Sequence, residues 1–317
     1  MQIEYVTIGE ITLDDIVLET GDVLRNQTGG GVIYSALGIR LWNHTVGINA
    51  AIGQDYPGEN IVQLNRNGLA TEGVIRIPGW SLRLWMLNEE NNKKQQIPKI
   101  QSGKLTDMDE IRPALPESYS EAKGYHLAPA TTAGQIQARD CIRKIIPNTL
   151  ISLDMLVAPQ IDVTPYLDGS IYQGIDILSP SIVEIETLFP GKSVADFINF
   201  VREFDVRWIT VKMDTRGALV HDSLTGESFQ IPIFPTSAID TTGAGDSFSG
   251  GFLEGICETH NIVQAGLRGT VSASFAVEHR GAMGLLNVTR EELEARVNWL
   301  QNRVERVNLI KYRLPNS

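Results

Sequence analysis

The sequence predicts an α/β protein with a mainly parallel central sheet and a small β-sheet lid, organised as one domain over residues 1–317. Three observations lead there. Short apolar runs suited to buried strands alternate with segments long enough for helices. β-rich stretches at residues 11–28 and 74–102 interrupt that alternation and read as a lid. No Pro/Ser-rich linker and no fixed-period repeat divides the chain.

Ile3 to Ile8 reads as a strand ending at Gly9, and residues 11–24 mix β-branched residues with acids before the turn Gly29-Gly30-Gly31. Val32 to Leu41 has helical apolar spacing and Thr45 to Ile52 is a buried strand closing on Gly53, which makes one β-α-β step. Ile61 and Leu64 with the stop at Gly68 predict a helix. Val74–Ile77 and Leu82–Leu87 then read as lid strands around Pro78-Gly79, and Asn88 to Lys94 as an exposed hairpin tip. There Lys93-Lys94 beside Glu89-Glu90 is a solvated charge cluster with no assigned function. Further strands are expected at Gly124–Leu127, Leu150–Leu153, Ile175–Leu178 and Trp208–Val211. Thr289 with Glu292 three residues on is a capping-box pattern, and Leu293, Val297, Leu300 and Val304 share a helical face, predicting a long C-terminal helix.

Hydrophobic residues are 42% and charged residues 21% of the 317, ordinary globular usage. The net charge of −11 repels nucleic-acid backbones and anionic lipid, so neither is an expected partner. No run approaches the ~18 apolar residues of a membrane span, and the Met-Gln-Ile-Glu start lacks the basic and apolar regions of a signal peptide. Cys141 and Cys257 lie far apart and form no CxxC pair; a reducing cytoplasm is expected.

The most informative segment is Ile239-Asp240-Thr241-Thr242-Gly243-Ala244-Gly245-Asp246-Ser247-Phe248, which leads into Phe248, Phe252, Leu253 and Ile256 at helical spacing. Glycines at a helix N-terminus leave backbone N–H groups open to an anion, and the helix dipole adds positive charge. Such a turn suits a transferring phosphoryl group. Asp246, one residue past the last glycine, is placed to stay ionised and to act as general base on an attacking hydroxyl. A glycine-rich helix start with an Asp cap is common by itself. Six fixed positions in Asp-Thr-x-Gly-Ala-Gly-Asp, at usages of about 5–8% each, recur by chance in roughly one chain per 10⁴–10⁵, which favours the catalytic reading.

DTTGAGDSFSGGFL resembles the C-terminal hallmark of ribokinase-like (PfkB) sugar and nucleoside kinases, and the resemblance runs from about Gly9 to Gly284. Val46-Gly47, Gly53-Gln54-Asp55, Gly58, Leu64 and Gly68-Leu69 resemble the segment after that family's first glycine motif. Lys212, Arg216-Gly217-Ala218 and Arg280-Gly281-Ala282 resemble the strand, turn and loop beside its nucleotide. The resemblance implies a three-layer Rossmann-like ribokinase fold and in-line transfer of the ATP γ-phosphoryl group, with Mg2+, to a small-molecule hydroxyl. The acceptor would be a sugar, sugar acid, polyol or nucleoside. Asp14, Gly29 and Gly30 match the acceptor-holding positions, and Tyr34 replaces the usual Asn, offering a stacking wall instead. Lys212, Arg216, Gly217, Thr241, Gly243 and Gly245 match nucleotide-side positions. Gly243, Ala244 and Gly245 would form the anion hole and Asp246 the base. The family's Asn-x-x-Glu reads Ser181-Ile182-Val183-Glu184, keeping in Glu184 the carboxylate that orients Mg2+ through water. Asp240 and Thr242 match a monovalent-cation position in some relatives, and Asp214 stands where Gly is usual. The lid strands, apolar on both faces, would cover substrate and meet a second subunit in a homodimer.

Gly191-Lys192-Ser193 resembles a P-loop tail, but Glu186 occupies the required earlier glycine position. Gly29-x-Gly31 lacks the third glycine of a dinucleotide fingerprint because Tyr34 stands there. The five His residues form no metal motif. Arg83, Trp85 and His126 are further pocket candidates. Two competing functions share the fold: a catalytically weakened nucleotide- or metabolite-binding regulatory module, and a kinase for a vitamin-like heterocycle.

Overall fold

The computed structural model describes residues 2–42, 44–89, 93–110 and 114–312. Its strands in chain order are β1 (Tyr5–Ile8), β2 (Thr12–Val17), β3 (Val23–Gly29), β4 (Val46–Gly53), β5 (Leu69–Ile77), β6 (Leu82–Glu89), β7 (Lys93–Pro98), β8 (Gly124–Leu127), β9 (Leu150–Leu153), β10 (Ile177–Leu178), β11 (Trp208–Lys212), β12 (Ala218–Asp222), β13 (Glu227–Ile231) and β14 (Glu305–Arg306). The α-helices are α1 (Gly31–Arg40), α2 (Gly58–Arg66), α3 (Leu105–Glu110), α4 (Thr132–Ile145), α5 (Thr164–Asp168), α6 (Ile182–Leu188), α7 (Val194–Arg202), α8 (Ala244–Thr259), α9 (Ile262–Ala276) and α10 (Arg290–Gln301).

Ten strands form the main sheet in the order β14-β13-β12-β11-β10-β9-β8-β1-β4-β5. From β5 to β11 every pairing is parallel, and β11 to β14 are antiparallel. Strands β1 and β4 are buried at every residue, as expected for parallel strands covered on both faces. One core, including Val32, Leu37, Ile48, Phe248, Phe252 and Leu267, packs α1, α8 and α9 on one face. Another, including Val6, Tyr125, Ile151, Ile182, Phe197 and Ile198, fills the other face under α6 and α7. The result is a helix-sheet-helix sandwich of ribokinase type, as expected. A separate four-stranded sheet, β3-β2-β6-β7, stands beside it.

Residues 75–77 are not lid strands. They end β5, whose register on β4 runs from Val46↔Leu69 to Gly53↔Ile77 along the edge of the main sheet. The apolar run 74–77 concealed that continuity because the strand begins at the buried Leu69 and passes through the half-buried Ala70 and Thr71 and the exposed Glu72. Gly79, at φ 100°, turns the chain out of the main sheet before β6 enters the lid. Residues 90–92 of the expected hairpin tip lie outside the described residues. The strand at Ile175–Leu178 is confined to Ile177–Leu178, and α10 stops at Gln301, leaving Val304 beyond it. The capping box on Thr289 and Glu292 is formed.

Helices α1 and α8 meet backbone to backbone. A Cβ on Gly38 would stand 2.3 Å from the Ser247 carbonyl oxygen, and one on Gly250 2.1 Å from that of Ser35. Larger residues at either point would force the helices apart, so these two glycines set the crossing that brings both helix N-termini together.

Candidate active site

The site lies beyond the carboxyl ends of the parallel strands, where open α/β sheets hold ligands. The turn before α8 is shaped by Asp240, whose buried carboxylate accepts from the Thr242 amide at 2.9 Å and its hydroxyl at 2.6 Å. Gly243 follows at φ 72°, a left-handed conformation that admits glycine readily, and caps a 16-residue helix. The first N–H groups of such a helix have no intrahelical acceptor, so the turn presents donors and the positive end of the dipole, with the Ala244 amide also donating to the Thr241 carbonyl at 3.4 Å. Tyr34 covers this turn: a Cβ on Gly243 would lie 2.0 Å from the Tyr34 Cγ.

Asp246 sits in the first turn of α8, and its Oδ1 is 2.7 Å from where a Gly31 Cβ would stand. Gly31 opens α1, so the carboxylate is set between two helix N-termini. Gly30, at φ 97°, passes against the Glu10 carbonyl, and a Cβ there would approach its oxygen to 2.1 Å. A Gly29 Cβ would approach Asp14 Oδ2 to the same distance. Asp14, on β2, is buried and its Oδ1 has no hydrogen-bond partner. Burial pushes its carboxyl up to about 7 against the opposing effects of Thr12 and Lys99, with Asp15 and Asp240 adding to the rise. Burial also raises the Tyr34 phenol well above its ordinary value, reinforced by Asp240, Asp14 and Asp246. The acceptor-side and phosphoryl-side residues expected from sequence are therefore neighbours.

Of the residues expected from sequence on the nucleotide side, Lys212 ends β11 and its ammonium bonds Asp154 at 2.7 and 2.6 Å, with Ser249 Oγ at 3.4 Å. Burial opposes its charge, but Asp154, Glu184 and Asp246 hold it above the usual lysine range. A Gly245 Cβ would be 3.5 Å from Lys212 Nζ, so Lys212 stands beneath the glycine turn. Asp214 adopts φ 54°, a glycine-like backbone on a non-glycine residue. Arg216 Nε donates to the Met213 carbonyl at 3.4 Å, and Gly217, at φ 81°, passes against the Ile231 carbonyl. Thr241 is half-buried at the turn.

Glu184 and Ser181 form a capping box at the head of α6: the Ser181 amide donates to Glu184 Oε2 at 2.6 Å and the Glu184 amide to Ser181 Oγ at 3.2 Å. Ser181 thus keeps the helix-capping part of the residue it replaces. Burial raises the Glu184 carboxyl, and Lys212 works against that rise.

The further pocket candidates and the P-loop-like run have these surroundings. His126 is fully buried on β8 and bonded through Nδ1 to Ser152 at 3.2 Å; burial lowers its pKa to about 4, with Asp154 and Lys212 acting on it in opposite directions. Arg83 faces Asp55 at 3.8 Å, and Lys99 lies over the Trp85 ring at 4.8 Å. Ser193 of the P-loop-like run caps α7 with Asp196. Sequence reading missed Asp154 and Ser249. Asp154 had a signal, because it directly follows the apolar strand Leu150–Leu153, where such α/β proteins place site residues.

The family model described as pfkB family carbohydrate kinase matches residues 4–289. The cytidine kinase of Thermococcus kodakarensis is 26% identical over 263 residues, covering 80% of this chain and 88% of its own. The ribokinase of Lactococcus lactis is 25% identical over 260 residues, covering 81% of each. A candidate ribokinase II of Escherichia coli, solved in complex with ATP and Mg2+, superposes with a TM-score of 0.72 at 18% identity, over 94% of this chain and 99% of that one.

Proposed function

This chain belongs to the pfkB carbohydrate kinase family and is a phosphotransferase acting on hydroxyl groups; from that premise we propose ATP as its donor and Asp246 as its general base. The acceptor is a sugar, sugar acid, polyol or nucleoside. The observation that carries this reading is the meeting of the two helix heads, with the Asp246 carboxylate against Gly31 and the Gly243–Gly245 turn beside it.

Asp14 with the Gly29 and Gly30 backbone holds the acceptor, and the Tyr34 ring walls it. Asp246 takes the proton from the attacking hydroxyl as the new O–P bond forms and the bond to the ADP oxygen breaks. The N–H groups of Gly243, Ala244 and Gly245 receive the charge that develops on the phosphoryl oxygens. Lys212, Arg216, Gly217 and Thr241 line the nucleotide side.

Among the described residues no group of three or more His, Cys, Asp and Glu forms a metal cage. Mg2+ is held mainly by phosphates and water with one or two carboxylates, and Glu184 is the carboxylate to orient it. Bound there, Mg2+ would neutralise charge on the phosphates. Asp240 and Thr242 are the positions for a monovalent cation, which dependence of turnover on K+ would reveal. Val23 and Ile97, exposed on the two edge strands of the lid, support pairing of two chains through it, testable by light scattering. Among the described residues no helix is long and apolar enough to cross a membrane, and the free thiols Cys141 and Cys257 suit a cytoplasmic setting.

The Ser181–Glu184 capping box favours a second reading, a regulatory binding module, because it engages one oxygen of the metal-orienting carboxylate. ADP release with ATP, Mg2+ and a panel of acceptors separates the two. Acceptor-dependent release supports the kinase; nucleotide binding with no acceptor-dependent turnover supports the module.

A further inference from the structure

Asp154 is buried, 2% exposed, at the end of β9. Its carboxylate takes both Lys212 contacts, accepts from Ser249 Oγ at 2.8 Å and from the Met155 amide at 2.9 Å, and is thereby fixed at both oxygens. Ser249 also reaches the Gly245 carbonyl at 3.0 Å, one turn earlier in α8. The chain Asp154–Lys212–Ser249–Gly245 therefore ties two strand ends to the first turn of the helix that heads the anion-binding turn. A lysine at a binding site is ordinarily a flexible cation that loses rotamer freedom when it meets its ligand. Here the Asp154 carboxylate and the Ser249 hydroxyl restrict that freedom and hold the ammonium under Gly245.

We propose that Asp154 is a positioning residue of the phosphoryl site, which with Ser249 fixes the Lys212 ammonium beneath Gly245 so that its charge serves the terminal phosphate of the nucleotide. This rests on the kinase reading. It deepens that reading by separating the residue that bears the charge from the one that places it. A misplacement of about 1 Å in such a group is enough to cost much of its effect.

The test is calorimetric affinity for ATP and for ADP, with Mg2+ and without acceptor, beside thermal midpoints. The proteins are the unsubstituted chain, Lys212→Met, Asp154→Asn and the double variant Asp154→Leu/Lys212→Met. The ATP-to-ADP affinity ratio reads the terminal-phosphate position, whereas a strut with only a structural role shifts both affinities together. We expect the ratio to fall about tenfold in each single variant. The double variant should regain stability, since apolar groups can replace a buried pair, without regaining the ratio. Ser249→Ala, which removes one strut and no charge, should lower the ratio about threefold and keeps the test open if the single charge variants unfold. An unchanged ratio in the variants that fold, with nucleotide still bound, overturns this inference and leaves the kinase reading standing. Failure of the unsubstituted chain to bind either nucleotide overturns both.

Discussion

Asp246 Oδ1 rests 2.7 Å from the point where a Cβ on Gly31 would be, so the first turn of α8 is seated on bare backbone at the start of α1. Pro129 closes the same space from the other side, its Cδ 2.8 Å from that point. Gly31→Ala should therefore displace the carboxylate while its helical backbone accepts alanine. Because the Pro129 ring cannot give way cheaply, we predict a fall in kcat of about tenfold or more together with a lowered thermal midpoint, read by steady-state kinetics and calorimetry.

Gly243→Ala meets two obstacles, a left-handed φ of 72° and the Tyr34 ring 2.0 Å from the new atom. Either the turn or the ring must move. The predicted outcome is a loss of about 10²-fold or more in kcat, with about 1–3 kcal/mol of stability lost in denaturant unfolding.

The Asp14 carboxyl, raised to about 7 mainly by burial, gives two pH dependences of defined sign. Below about 7 the group is protonated in the folded chain but ionised in the unfolded chain down to its ordinary value, so stability falls as pH rises between the two. Asp14→Asn should thus be more stable than the unsubstituted chain at pH 8 by on the order of 1–3 kcal/mol, with the difference vanishing near pH 4. If Asp14 holds acceptor hydroxyls as a carboxylate, the acceptor KM should decrease as pH rises through about 7, and Asp14→Asn should abolish that dependence.

Far from the site, Glu254 is buried on α8 between His44 Nε2 at 2.9 Å and the Arg268 guanidinium. Glu254→Gln leaves both partners with less compensation. A loss of about 3–5 kcal/mol in unfolding free energy is expected, with the affinity for nucleotide unchanged in the folded protein.

Much of this organisation is legible in the sequence because it is local. The spacing of Phe248, Phe252 and Ile256 gives α8, the preceding glycines give the turn, and Thr289 with Glu292 gives the start of α10. What escaped depends on contacts distant in sequence. Asp154 acquires its role only when β9 lies two strands from β11 and brings it to Lys212, 58 residues away. The assignment of residues 75–77 to the lid failed similarly, because strand pairing with β4 rather than local apolarity decides which sheet they join. His126, a pocket candidate in the sequence, is fully buried against Ser152, a contact 26 residues distant that no local pattern displays.

Activation of the acceptor hydroxyl by Asp246, on a chain that binds ATP, is read by comparing the unsubstituted protein with Asp246→Asn. The measurement is acceptor-dependent ADP release over a panel of sugars, sugar acids, polyols and nucleosides, with nucleotide affinity measured in parallel. A fall of about 10²-fold or more in kcat with ATP affinity retained is the expected result. Equal turnover in the two proteins with the same acceptor would contradict it.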